Sequence, residues 1–279
     1  MKIAISADST CDLSNEICEK YDIHLNAMPF SLGEDDLRHD GVTGTTKDVF
    51  EYVEKTGKLP TTSAYNEYEY TEHFNKLLKD YDAVIHVSFS WEISSTGANA
   101  RRASENMQNV YTIDSKNLSC GFGLVVLECA IWAQMGKSVE EIIKHAEEVR
   151  DQIQTSFLVD TLEYLYKGGR CSGVTNVVSK LIKLKPRISI VDGKMEVTKK
   201  YIGSIDNCLM RYCDDILKEA KPNIERVFVV SSSPVEVEGK IIQKLKDYGF
   251  KEILTAQAGP SISIHCGKKT LGIMYIKEW

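Results

Sequence analysis

Residues 2–13 read Lys2-Ile3-Ala4-Ile5-Ser6-Ala7-Asp8-Ser9-Thr10-Cys11-Asp12-Leu13. Strand-forming residues from Lys2 to Ala7 run straight into a polar segment, Asp8 to Asp12, suited to the start of a helix. A buried strand feeding a helix is the repeating unit of a parallel sheet covered by helices. Two further runs rich in β-branched residues, Ala83–Ser88 and Asn109–Asp114, follow the same plan. Helices are expected between and after them, at Thr46–Lys55, Tyr68–Lys79, Thr96–Met107 and Ser119–Met135. In Tyr68–Lys79, for example, Phe74, Leu77 and Leu78 share a face opposite charged residues. Ser138-Val139-Glu140-Glu141 has the capping-box form, and Ile142, Ile143, Ala146, Val149 and Ile153 continue it at helical spacing.

The second half has a different rhythm. Leu162–Arg170 reads as helical and ends in Gly168-Gly169. Pro186–Val191 is extended, and Asp192-Gly193 is a hairpin turn before Met195-Glu196-Val197. A helix is expected over Ile205–Ala220 and a strand over Arg226–Val230. Ser233-Pro234 reads as the start of a helix holding Ile241, Ile242 and Leu245. Glu252–Ala256 and Leu271–Ile276 read as closing strands, with His265-Cys266-Gly267 in a turn between them. The expectation is therefore two α/β domains, residues 1–157 with a mostly parallel sheet and residues 158–279 with a mixed one, dividing near residues 155–160.

Composition agrees. A chain of 279 residues corresponds to roughly two domains at about 150 residues each. A hydrophobic share of 43% and a charged share of 27% are those of a folded globular protein. The net charge of −6 speaks against a nucleic-acid partner. Gly121–Met135, the most apolar window, is short for a bilayer span and contains Glu128, so no stable membrane insertion is expected. Eight cysteines without a Cys-x-x-Cys pair or zinc spacing, in a chain that opens on a strand rather than a leader, point to a reducing cytoplasm and no metal site.

Several polar loops could carry chemistry. Asp8–Asp12 and Ser94-Ser95-Thr96-Gly97 both follow strands, at the carboxyl edge of a parallel sheet where ligands bind. Their hydroxyls could hold a carboxylate or phosphate, and they could equally cap helices. Pro60-Thr61-Thr62-Ser63 is a third hydroxyl-rich loop, and Lys167-Gly168-Gly169-Arg170 offers two glycines and a guanidinium. No nucleotide-binding glycine loop and no Gly-x-Ser-x-Gly elbow occur.

In this order the segments resemble the DegV family of bacterial fatty-acid-binding proteins. Asp8–Leu13 is similar to that family's opening Asp-Ser-Thr-x-Asp-Leu, Thr61-Thr62-Ser63 to its Thr-Ser-Gln loop, and Ser94-Ser95-Thr96 to its Ser-Gly-Thr helix start. Asp114-Ser115 with Ser119–Gly123, Leu165–Arg170, Lys185-Pro186 and Ala258-Gly259-Pro260 with His265-Cys266-Gly267 match further landmarks. Differences are Ala64 for the glutamine, Ser95 for the glycine, Cys266-Gly267-Lys268-Lys269 for Thr-Gly-Pro-Gly, and Lys199 or Lys200 for an arginine.

The resemblance implies two α/β domains enclosing one long-chain fatty acid. By matching position Thr62 and Ser94 would hold its carboxylate, with His265 beside the head group and Ser9, Thr61, Ser95, Thr96 and Arg170 around them. It further implies a carrier without a cofactor, presenting its fatty acid to a separate ATP-dependent fatty-acid kinase that does the catalysis. Two other readings stand beside it. Dihydroxyacetone kinases have a related fold and hold substrate with a histidine, which suggests a phosphotransfer-type enzyme acting on a small polar ligand. Lys268-Lys269 suggests a ligand-sensing interaction module that has lost lipid binding.

Overall fold

A computed structural model describes residues 1–170, 184–219 and 222–277. Cys171 and Ala220, the last residue of the expected Ile205–Ala220 helix, lie outside the described residues. The chain begins with β1 (Ile3–Asp8), α1 (Asn15–Tyr21) and β2 (Ile23–Asn26). Three short strands interleave with two helices: β3 (Pro29–Ser31), β4 (Leu37–His39), α2 (Thr46–Thr56), β5 (Thr61–Thr62) and α3 (Glu67–Leu77). Then follow β6 (Ala83–Ser88), α4 (Thr96–Glu105), β7 (Val110–Asp114), α5 (Ser119–Gln134) and α6 (Val139–Arg150). β1 and β6 are the two inner strands of an all-parallel sheet ordered β2-β1-β6-β7, with Ile5 opposite Ile85 and Ser6 opposite His86. Their nearly unbroken burial is what a parallel strand covered on both faces requires. Capping boxes at Thr45/Asp48, Asn66/Glu69 and Ser138/Glu141 start α2, α3 and α6, the last as expected from its sequence.

The second sheet begins with β8 (Ile153–Leu158), so the expected division at 157/158 falls inside one of its strands. It continues through α7 (Glu163–Lys167), β9 (Leu184–Val191), β10 (Lys194–Ile202), α8 (Ile205–Glu219), β11 (Pro222–Ser231), α9 (Glu238–Tyr248) and β12 (Glu252–Gln257). The chain closes with α10 (Pro260–Cys266) and β13 (Leu271–Lys277). The strand order is β10-β9-β8-β13-β11-β12, antiparallel except for β11 with β12. Asp192 and Gly193 both have positive φ, 47° and 79°, the two-residue turn that matches strand twist.

α5 joins the halves. From Ser119 to Leu127 every residue is buried, and the helix is apolar around most of its circumference, as one enclosed by both halves must be. One continuous core runs from Ile5 and Ile85 through Phe122, Val125 and Val126 to Phe228 and Met274. Close packing needs the glycines of the Ser119–Gly123 segment. A Cβ on Gly121 would lie 1.9 Å from Thr155 Oγ1 on β8, and one on Gly123 would lie 2.7 Å from the Cys11 carbonyl after β1. α8 and α9 cover the second sheet through Leu209, Tyr212, Ile241 and Leu245.

Two expectations need correction. His265 lies in the last turn of α10, not in a turn between strands. α9 begins at Glu238, not at Ser233-Pro234, because Ser233 Oγ accepts from the Lys269 amide at 2.8 Å and Ser232 Oγ donates to Gly267 O at 2.6 Å. Those serines tie down the loop after α10 instead of capping a helix.

Candidate functional site

A cavity of about 270 Å³ opens at the carboxyl ends of β1 and β6 and runs toward α7, α10 and β10. Its apolar wall includes Met28, Phe89, Ile93, Leu118, Phe157 and Leu165, contributed by both halves of the chain. Its polar lining includes Thr62, Ser94, Ser95, Thr96, Arg170 and His265. Six of the eight residues singled out in the sequence thus share one cavity. The other two are placed elsewhere: Ser9 Oγ accepts from the Met28 amide at 3.0 Å, and Thr61 is exposed on β5, paired through its backbone with Ser31.

His265 and Thr62 are brought together by the small antiparallel sheet β4-β3-β5. Phe30 on β3, Val49 and Phe50 on α2, and Ile264 on α10 form a separate buried cluster that seats β5 against α10. Thr62 Oγ1 and His265 Nε2 then share a hydrogen bond of 3.1 Å. Two carboxylates fix the amino end of α10: Asp12 Oδ1 accepts from the Gly259 amide at 2.9 Å and Asp40 Oδ2 from the Ser261 amide at 3.2 Å. Thr46 Oγ1 donates to Ala258 O at 2.7 Å beside them. Burial raises the Asp12 carboxyl to about 8, against the pull of its bonds to Ser119 and Gly259.

Burial, and then the nearby Arg170 guanidinium, lower the His265 imidazole to about 4, so it is neutral at neutral pH. Its Nδ1 is buried without a partner, and Gly168 packs so closely that a Cβ there would lie 2.3 Å from that atom. Arg170 is folded back, with Nη1 donating to Gly168 O at 2.9 Å. Thr10, which also lines the cavity, has a buried hydroxyl without a partner. At the start of α4, Ser94 Oγ accepts from the Thr96 amide at 3.2 Å, and Thr96 Oγ1 bonds the Tyr70 hydroxyl at 2.7 Å. Three hydroxyl residues of the lining, Thr10, Ser63 and Ser261, were not singled out; Thr10 and Ser63 lay inside loops already marked as polar, and Ser261 gave no signal of its own.

A cavity with mostly apolar walls and a few placed hydroxyls, an imidazole and one guanidinium suits an amphipathic ligand with an acidic group. Among the described residues no cluster of histidine, cysteine and carboxylate side chains could hold a metal ion. Among them, too, no helix is long and apolar enough to cross a membrane.

The fold and cavity define an α/β protein with two large sheets and one small one, built around an internal binding space. The chain belongs to the DegV family, described as uncharacterised proteins, which it matches over residues 2–278. It is 31% identical over 280 residues to protein DegV of Bacillus subtilis, covering 99% of each chain. The crystal structure of DegV, described as a fatty acid binding protein from Bacillus subtilis, superposes with a TM-score of 0.86 at 28% identity over the whole of both chains. A DegV family protein from Thermus thermophilus, described by its fatty acid binding, shares the fold at a TM-score of 0.89 and 24% identity, again over all of both chains.

Proposed function

We propose that this protein binds one long-chain fatty acid in the cavity between its two sheets. The observation that carries this reading is the meeting of Thr62, Ser94 and His265 on one cavity that also has a broad apolar wall contributed by both halves. The fatty acid binding of the Bacillus subtilis relative supports it. An acyl tail of some sixteen carbons gains about 0.8 kcal/mol per methylene buried, on the order of 10 kcal/mol before association costs. A carboxylate taken into such a space needs donors, since an unpaired buried charge costs several kcal/mol. In this reading Thr62 and Ser94 donate to it, the free Nδ1 side of His265 and the Arg170 guanidinium lie close by, and Thr10, Ser95 and Thr96 complete the polar wall.

We read the chain as a cytoplasmic carrier without a cofactor that presents its fatty acid to an ATP-dependent kinase. The seven described cysteines are free and buried, as a reducing compartment allows. Native mass spectrometry of the purified protein is expected to find one co-purifying acyl chain. A protein that is empty and takes up neither palmitate nor oleate overturns the binding reading. Acyl phosphate formation by a fatty-acid kinase that depends on adding this chain supports presentation. ATP turnover by this chain alone overturns the carrier reading in favour of an enzyme.

A further inference from the structure

Asp8 closes β1 with no exposed surface, yet only one of its carboxylate oxygens has a partner. Oδ1 accepts from the Tyr70 hydroxyl at 2.7 Å, and Oδ2 is buried without a hydrogen bond. A phenol has one hydrogen to give. Since Tyr70 gives it to Asp8, the 2.7 Å contact between Tyr70 and Thr96 is made with Thr96 as donor. Thr96, which lines the cavity, then has only lone pairs left for a ligand. A carboxylate is also only an acceptor, so the row as it stands is set against the proposed head group.

We propose that Asp8 and Tyr70 are positioning residues for the head group, and that a proton taken up by Asp8 reverses the Asp8–Tyr70–Thr96 row so that Thr96 donates to the bound carboxylate. The inference rests on the fatty-acid reading above. One proton enters from solvent and forms an O–H bond at Asp8 Oδ1. That group donates to the Tyr70 oxygen, Tyr70 donates to Thr96 Oγ1, and Thr96 donates to the ligand. Only hydroxyl rotations accompany the one protonation, and fatty-acid anion and proton are bound together.

The surroundings favour the protonated acid. Burial raises Asp8 to about 7 against the opposing pull of the Tyr70 hydroxyl and the nearby Phe89 backbone. His86 on β6 places Nε2 3.7 Å from Asp8 Oδ1, too far for a hydrogen bond, and burial keeps it neutral. His86 Nδ1 and His73 Nε2, from α3, both bond Ser6 Oγ, at 3.0 and 2.8 Å, and burial lowers His73 to about 4. Tyr65 in the loop before α3 and Cys11 after β1 also feel Asp8, and both are held in their neutral forms by burial. The neutral row His73–Ser6–His86 leads from a half-buried position on α3 to Asp8.

The test measures oleate affinity of the full chain between about pH 7.5 and 9, with proton uptake from calorimetry in two buffers of different ionisation enthalpy. In that range His265 stays neutral, and Asp12, raised to about 8, is not part of the cavity lining. The wild-type protein is expected to lose affinity with rising pH, approaching about tenfold per unit, and to take up close to one proton per oleate. Asp8→Asn, whose amide N–H donates to Tyr70 as the protonated acid would, is expected to bind oleate with a flat profile and no uptake. A folded Asp8→Asn that keeps slope and uptake overturns the inference. Should that variant not fold, Tyr70→Phe cuts the row, and a slope that persists there overturns it equally. Wild-type binding without a pH slope overturns this inference alone, whereas no oleate binding at any pH overturns the fatty-acid reading as well.

Discussion

Thr62 and His265 stand 203 residues apart in the chain and share a 3.1 Å hydrogen bond at the wall of the cavity. Neither can reach the other unless β5 is paired to β3 and α10 is packed on both. The bond ties the polar lining to the register of a three-stranded sheet whose strands have only two or three residues.

Removing the hydroxyls tests the proposed head-group site. Thr62→Val with Ser94→Ala is expected to weaken palmitate binding ten- to hundredfold, the value of about 1.5–3 kcal/mol for hydrogen bonds to a charged group. Thermal unfolding should still be cooperative, because neither residue belongs to a core cluster. Unchanged affinity by competition with a fluorescent fatty acid would place the carboxylate elsewhere.

The tail makes a separate demand. If the apolar wall takes the acyl chain, shortening it by four methylenes costs about 3 kcal/mol, on the order of a hundredfold in affinity. Laurate should therefore bind far more weakly than palmitate in the same competition assay. Equal affinities would mean that the tail is not buried.

Gly168→Ala probes His265 without touching it. The new Cβ would lie 2.3 Å from Nδ1, so the ring must turn away from Thr62. Over-packing of this kind costs about 1–3 kcal/mol, and fatty-acid affinity should fall with it. A crystal structure of the variant with the Thr62–His265 bond intact and binding unchanged would refute this.

Gly123→Ala tests the seam between the halves, where a Cβ would meet the Cys11 carbonyl at 2.7 Å. Backbone cannot swing aside as a side chain can, so a loss of about 1–3 kcal/mol in urea unfolding is expected.

Asp12 gives a pH dependence of stability. Its folded-state value of about 8 lies above the usual carboxylate value, so the folded protein binds more protons than the unfolded chain until pH passes 8. Stability should therefore fall as pH rises from about 6.5 to 8.5, at most by about 1.4 kcal/mol per unit for one such group. Histidines lowered by burial do not oppose this, since above their ordinary value they are neutral in both states. Asp12→Asn keeps an acceptor for Gly259 and can donate to Ser119, so the variant should fold with a shallower decline in thermal midpoint over the same range.

Elements with a strong period were legible in the sequence. β1, β6 and β7 read as apolar runs, α6 through its capping box, and the β9–β10 turn through Asp192-Gly193. The three strands β3, β4 and β5 were not, because runs of two or three residues show no alternation and are held by partners distant in the chain. The end of α10 was read as a turn because Gly259 and Gly267 flank this short segment and a proline and two serines lie within it. It is helical because Pro260 suits the first helical position and because Asp12 and Asp40 accept its leading amides. Ser233-Pro234 misled in the opposite direction: its hydroxyl was claimed by the Lys269 amide.

The sequence by itself determined the alternation of strand and helix, the apolar helix α5 at the centre, and the order of hydroxyl-bearing loops. Those follow from local periodicity and from residue chemistry within a few positions. Only the tertiary structure decided that six of the eight marked residues share a cavity, that Ser9 and Thr61 are spent on backbone contacts or exposed, and that Tyr70 links Asp8 to Thr96 by hydrogen bonds. Hydrogen bonds of that kind depend on which strand pairs with which, and pairing is settled by packing the whole core rather than by any local stretch of chain.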